Sequence, residues 1–208
     1  MAARGRFISF EGGEGAGKTT QIERLADFLR ARGVDVVVTR EPGGTEVGEA
    51  IRRVLLDKSL PAMASDTELM LMYAARVEHL HKRIQPALAA GQWVLSDRFA
   101  DASHVYQGAG RGLDPARIDA LERWSLQGFV PDRTILFDLP VAQGMARVRS
   151  RGATDRFEQE QTAFFERVRQ GYLARARRFP ERFVVIDAAR SVDEVTAQII
   201  AVVEPWLS

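Results

Sequence analysis

The 208-residue chain contains no cysteine, no asparagine and only three lysines, Lys18, Lys58 and Lys82. Without cysteine there is no disulfide framework, no thiolate metal site and no thiol nucleophile, which fits a reducing compartment. Without asparagine there is no N-K-x-D segment, the signature with which guanine-specific switches read their base. Nowhere do 18 apolar residues run together, and the opening MAARGRFISF lacks the long apolar segment of a signal peptide. Charge imbalance is also missing: 29 Lys+Arg face 28 Asp+Glu, a net charge of +1. Nothing global therefore argues for nucleic acid or an anionic membrane as partner. The expectation is a soluble, cytoplasmic protein.

What is present is ordinary in amount, 46% hydrophobic and 27% charged residues, and fits one globular domain over 1–208. Short runs rich in β-branched and aromatic residues at 7–10, 34–39, 93–96, 134–137 and 183–186 read as strands. Their apolarity is continuous, not alternating, as in parallel strands covered on both faces. Helical patterns fill the intervals at 19–31, 45–56, 66–90, 115–127, 141–149, 159–178 and 192–206. Gly33 and Gly91 stand where helices should stop, while Asp114-Pro115 and Ser191 stand where helices should start. Alternating strands and helices predict right-handed crossovers and a three-layer α/β fold.

The segment GGEGAGKT, residues 12–19, satisfies G-x-x-x-x-G-K-[ST] between a strand and a helix. Its glycines let successive backbone N–H groups converge on phosphate oxygens, and the following helix adds its positive dipole end. Gly12, Gly13, Glu14, Gly15, Ala16, Gly17, Lys18, Thr19 and Thr20 are accordingly the candidate ATP-binding residues. Lys18 can reach the terminal phosphates and Thr19 can offer its hydroxyl to Mg2+. The metal-side acid is sought at a strand end. Asp97 in WVLSD is followed by Arg98, which suits a phosphate site, whereas Asp138 in TILFD runs into Leu139-Pro140 and reads as a helix cap. Arg147, Arg149, Arg151 and Arg156 form either a solvated face or a lid over the phosphates at about 147–158.

These features occur together with TREPGGT, YAAR, SDRFADASHVYQGAGRGLD and DRFEQE in the order found in bacterial thymidylate kinases, which the chain resembles from Phe7 to about Ala188. The resemblance implies a P-loop kinase fold with a five-stranded parallel sheet, transfer of the ATP γ-phosphoryl to dTMP with Mg2+, and a homodimer. It places Glu14 toward the deoxyribose and gives Glu11 a structural role or a place in the shell around the metal. Arg40 and Arg98 match holders of the dTMP phosphate, with Pro42 in the adjoining turn. Arg76 and Ser103 match readers of the thymine edge, and Tyr106 packs under the sugar with Gln107 beside it. Met72 stands where many relatives carry phenylalanine, with Tyr73 next to it about 100° round the helix. Ala102 replaces a common serine. The phosphate loop has no arginine of its own, so Arg149 and Arg151 join Lys18, Glu14 and Asp97 as the catalytic set. His79, His81 and His104 are read as surface or packing residues. The alternatives are a related kinase acting on a different monophosphate or on a nucleoside, and a slowly hydrolysing nucleotide switch.

Overall fold

The first strand, β1 (Phe7–Gly12), is buried along all six residues and lies in the middle of the sheet. The computed structural model describes residues 4–151 and 160–207, and Arg151 by its backbone alone. The expected lid falls outside the described residues from 152 onward, as does Arg156. β2 (Val36–Arg40), β3 (Trp93–Asp97), β4 (Arg133–Asp138) and β5 (Phe183–Asp187) complete a parallel sheet in the order β2-β3-β1-β4-β5. All five strands occur where the apolar runs predict them. Val38 and Val185, on the two edge strands, are partly open to solvent, so continuous burial belongs to the inner strands only.

One face of the sheet carries Ile8, Phe10, Leu95, Ile135 and Phe137 against α1 (Lys18–Arg30) and α9 (Val192–Val203). On the other face, Phe7 and Val94 pack with Leu80, Ile84 and Leu88, while Leu136 packs with Val105, Val168 and Tyr172. Each large apolar side chain fully buried stabilises the domain by about 1.5–3 kcal/mol, which makes the sheet a rigid base for the site. The expected caps are present. Ser191 forms a reciprocal capping box with Glu194, Asp114 accepts from the Ala116 N–H, and Thr45 caps α2 (Glu46–Leu56) through the Gly48 N–H.

Two segments differ from the sequence pattern. The single helix expected over 66–90 is α3 (Ser65–His79), a π-helical turn at Leu80–Ile84, and α4 (Gln85–Ala89). Pro86 explains the wider turn, because it has no N–H to return to the preceding turn and its ring crowds the carbonyl four residues back. The second is a helix the sequence reading omits: α5 (Ala100–Ser103) continues as a π-helical segment at His104–Gly110. Its glycines and polar residues hide the helical period. It is followed by α6 (Pro115–Leu126), α7 (Val141–Arg151) and α8 (Thr162–Arg178).

Register brings the site together. Phe10 and Arg40 both pair with Asp97, so the end of β1, Asp97 and Arg40 meet at the carboxyl edge of the sheet. Helix α7 touches the loop after β1 backbone to backbone: a Cβ on Gly144 would collide with the Glu14 carbonyl oxygen, and one on Gly15 with the Gly144 carbonyl. Gly144→Ala should therefore destabilise the fold by about 1–3 kcal/mol and weaken ATP binding. Urea unfolding and nucleotide titration measure both, and unchanged stability would mean that the two backbones are free to separate.

Candidate active site

A cleft of about 720 Å³ runs along the carboxyl edge of the sheet. Glu14, Gly15, Ala16, Gly17, Lys18, Thr19 and Thr20 line one wall, and Arg40, Pro42, Met72, Arg76, Arg98, Ser103, Tyr106 and Gln107 line the other side. Asp97, at the end of β3 between β2 and β1, lines it too. Gly12 and Gly13 stand behind the loop, where their carbonyls accept from the Lys18 ammonium at 3.3 and 3.1 Å. Burial, helped by the nearby Arg98 charge, lowers the Lys18 pKa. Phosphate oxygens would be stronger partners for Lys18 than two neutral carbonyls.

Glu14 does not point its charge into the anion-binding wall. Its Oε1 accepts from Arg98 Nη2 at 2.6 Å and from the Tyr106 hydroxyl at 2.8 Å. Arg98 is also held by the Gly12 carbonyl at 3.0 Å and the Tyr172 hydroxyl at 3.1 Å, and it lies over the Tyr106 ring. Burial works against the Arg98 charge, but Tyr106 and Glu14 outweigh it and hold its pKa well above the usual value. The Arg98 backbone is in the left-handed region at φ 72, a conformation that costs a non-glycine residue about 1–3 kcal/mol and recurs at functional sites.

Arg40 is at the exposed rim, paired with both Glu49 oxygens at 3.0 and 2.9 Å. Met72 faces the cleft, whereas Tyr73 turns away to pack with Leu69 and Ile118 and donates to Glu122 at 3.4 Å. Tyr73 is thus not a lining residue. Gln107 lines the cleft but gives its amide to the buried Glu68 at 2.9 Å. On α7, Arg149 is exposed and does not line the cleft, whereas Arg147 does and donates to the Gly15 carbonyl at 3.3 Å. Of Arg147 and Arg149, it is Arg147 that faces the loop. Asp138 is no helix cap, because both its oxygens are held by Arg169 at 2.7 and 3.0 Å. The wall formed by Gln21, Ala188, Arg190, Val192 and Val195 has no motif by which the sequence could have marked it. Sequence reasoning also passed over Glu41, Tyr172 and the buried role of His79.

The Asp97 Oδ1 atom is buried without a hydrogen-bond partner. A carboxylate oxygen left that way is costly unless a cation or donor joins it, so the site fits Mg2+ held by Asp97 and the Thr19 hydroxyl. Among the described residues no group of three or more His, Asp or Glu side chains gathers to hold an ion alone. Substrate phosphates would thus have to complete the coordination, as is usual for magnesium.

A model of the thymidylate kinase family matches residues 10–199. The chain is 56% identical to a thymidylate kinase of Alcanivorax borkumensis over 200 residues, covering 96% of each chain. It is 54% identical to one from Nitrosomonas eutropha over 205 residues, covering 99% of this chain and 95% of the relative. This chain belongs to the thymidylate kinase family. The fold agrees: the crystal structure of thymidylate kinase from Ehrlichia chaffeensis superposes with a TM-score of 0.78 at 34% identity, covering 97% of this chain and 99% of that one. Membership makes it an ATP-dependent nucleoside monophosphate kinase and removes the nucleotide-switch alternative. Among the described residues no helix is long and apolar enough to cross a membrane.

Glu11 lies beneath the site, fully buried, accepting from the Phe99 N–H and the Tyr172 hydroxyl, each at 2.7 Å. Burial first, and the Asp101 charge second, lift its pKa from 4.5 to about 7. The folded protein thus holds this proton more tightly than the unfolded chain, so the associated stability is complete below pH 4.5 and is lost as pH rises through about 7. Wild type should lose ~3 kcal/mol across that window relative to Glu11→Gln. Urea unfolding at several pH values tests this, and a constant difference between the two proteins would mean that the carboxyl is ionised throughout.

Proposed function

We propose that this enzyme transfers the γ-phosphoryl group of ATP to dTMP, giving dTDP and ADP, as one kinase domain over 1–208 working as a cytoplasmic homodimer with Mg2+. The observation that carries the reading is the Arg98–Glu14 contact at 2.6 Å. It joins a second anion site to the phosphate loop across one cleft, an arrangement useful only to an enzyme that holds two phosphorylated substrates. In this reading Lys18 leaves the loop carbonyls for the β and γ phosphates, and Arg98 with Arg40 holds the acceptor phosphate in line. Arg76 and Ser103 face the base edge, Met72 packs on the base, and Tyr106 closes the floor beneath the sugar. Magnesium, held by Asp97 and Thr19 when bound, neutralises charge on the phosphates. No general base is required, because the attacking phosphate oxygen is already anionic and catalysis rests on position and charge. Arg147 ties α7 to the loop at Gly15, beside the phosphates of the proposed donor.

Steady-state ADP release with one acceptor at a time tests the assignment. dTMP should give the highest kcat/KM. dUMP, short of one methyl worth about 0.8 kcal/mol when buried, should fall roughly tenfold after packing losses. dCMP presents the opposite donor and acceptor pattern to Arg76 and Ser103 and should fall about a thousandfold. ADP release without acceptor dependence, or a stronger preference for another monophosphate, would contradict the proposal.

A further inference from the structure

Of the surface and packing roles expected for His79, the structure shows packing: the ring is fully buried and both its nitrogens are engaged. Nδ1 lies 3.0 Å from Glu41 Oε1, and Nε2 lies 2.7 Å from the Thr39 hydroxyl. A carboxylate can only accept, so Nδ1 carries the hydrogen and Nε2 can take one from Thr39. The second Glu41 oxygen accepts from Arg76 Nε at 2.6 Å, completing a carboxylate clamped between two donors. Arg76, 2% exposed, then reaches Ser103 Oγ at 3.0 Å with Nη1 and the Phe99 carbonyl at 3.1 Å with Nη2. Arg76 and Ser103 line the cleft, and His79 does not.

We propose that His79 is a positioning residue for the acceptor base: by holding Glu41 it fixes the plane of the Arg76 guanidinium against Ser103 at the cleft wall. The proposal rests on the functional reading above and deepens it. A planar guanidinium bonded through Nε has its orientation set by that bond, so a carboxylate free to rotate would release the fork from Ser103. An independent feature points the same way. Gly44 lies at φ 82, and a Cβ there would sit 2.5 Å from His79 Cδ2, 2.6 Å from Nε2 and 2.7 Å from Thr39 Oγ1. The turn after β2 is therefore closed directly over the His79–Thr39 pair, and only glycine leaves it room.

Two near-isosteric variants separate positioning from packing. Asparagine places its amide N–H where the Nδ1 hydrogen stands and can keep Glu41; glutamine reaches the Nε2 position and keeps Thr39 but gives up Glu41. His79→Asn should hold KM for dTMP within about threefold of wild type, whereas His79→Gln should raise it about tenfold. In both variants kcat and KM for ATP should change by less than about threefold, because the phosphate end is untouched. Glu41→Gln should raise KM for dTMP at least as much as His79→Gln, and the double variant should be no worse than Glu41→Gln alone. Equal effects of Asn and Gln, no effect of either, or additive losses in the double variant would overturn the proposal. A wild-type enzyme preferring another acceptor would overturn the dTMP reading instead, and the same comparison on KM for that acceptor would then judge His79.

Discussion

The Arg98 guanidinium is the interaction on which the rest of the site depends. It joins the end of β3 to the phosphate loop at Gly12 and Glu14 and to α8 at Tyr172. The chain accepts a left-handed non-glycine residue to put it there, an outlay of about 1–3 kcal/mol. It also resolves the oddity of an acid inside an anion-binding loop. Glu14 faces away from that wall and neutralises part of a half-buried arginine, while Tyr106 shares the same oxygen. In the proposed reading this leaves the loop's N–H groups to the donor nucleotide and Arg98 to the acceptor.

Buried carboxyl groups around this centre are arranged in closed sets. Glu11 holds Tyr172 and the Phe99 N–H from below, which fixes the strand end that carries Arg98. Asp101 takes Arg175 and Arg182, pinning α5 to α8 and to the residue before β5. Glu41 takes Arg76 and His79. Breaking one partner of such a buried set costs far more than the set contributes over an apolar core, so its value lies in orientation. Among the described residues, Asp97 Oδ1 is buried without a hydrogen-bond partner, and in the proposed reading it is the oxygen offered to Mg2+.

The sheet and the phosphate loop were legible because each has a local signal: continuous apolar runs for inner strands, and spaced glycines ending in Gly-Lys-Thr for the loop. The segment 100–110 was not, because π-helical turns and glycines erase the 3.6-residue period, although it carries Ser103, Tyr106 and Gln107. His79 falls on the packing side of its surface-or-packing expectation, but its partners were not legible, since Thr39 and Glu41 lie about forty residues away and no spacing rule connects them. Met72 and Tyr73 were separable only once α3 had a direction. Arg149 and Arg147 alternate along one helix, and which of them faces the loop follows from the close approach of Gly144 to Gly15, a backbone contact that sequence spacing does not encode.

The central claim is that Arg98 is built to hold the acceptor's phosphate, and calorimetry comparing dTMP with thymidine tests it most directly. In wild type the phosphate should improve affinity by about a hundredfold, the scale of a charge-assisted bidentate contact. In Arg98→Ala that advantage should shrink to about tenfold or less, with thymidine affinity itself little changed. An undiminished dTMP advantage in the folded variant would contradict the account, because the acceptor phosphate would then be held elsewhere.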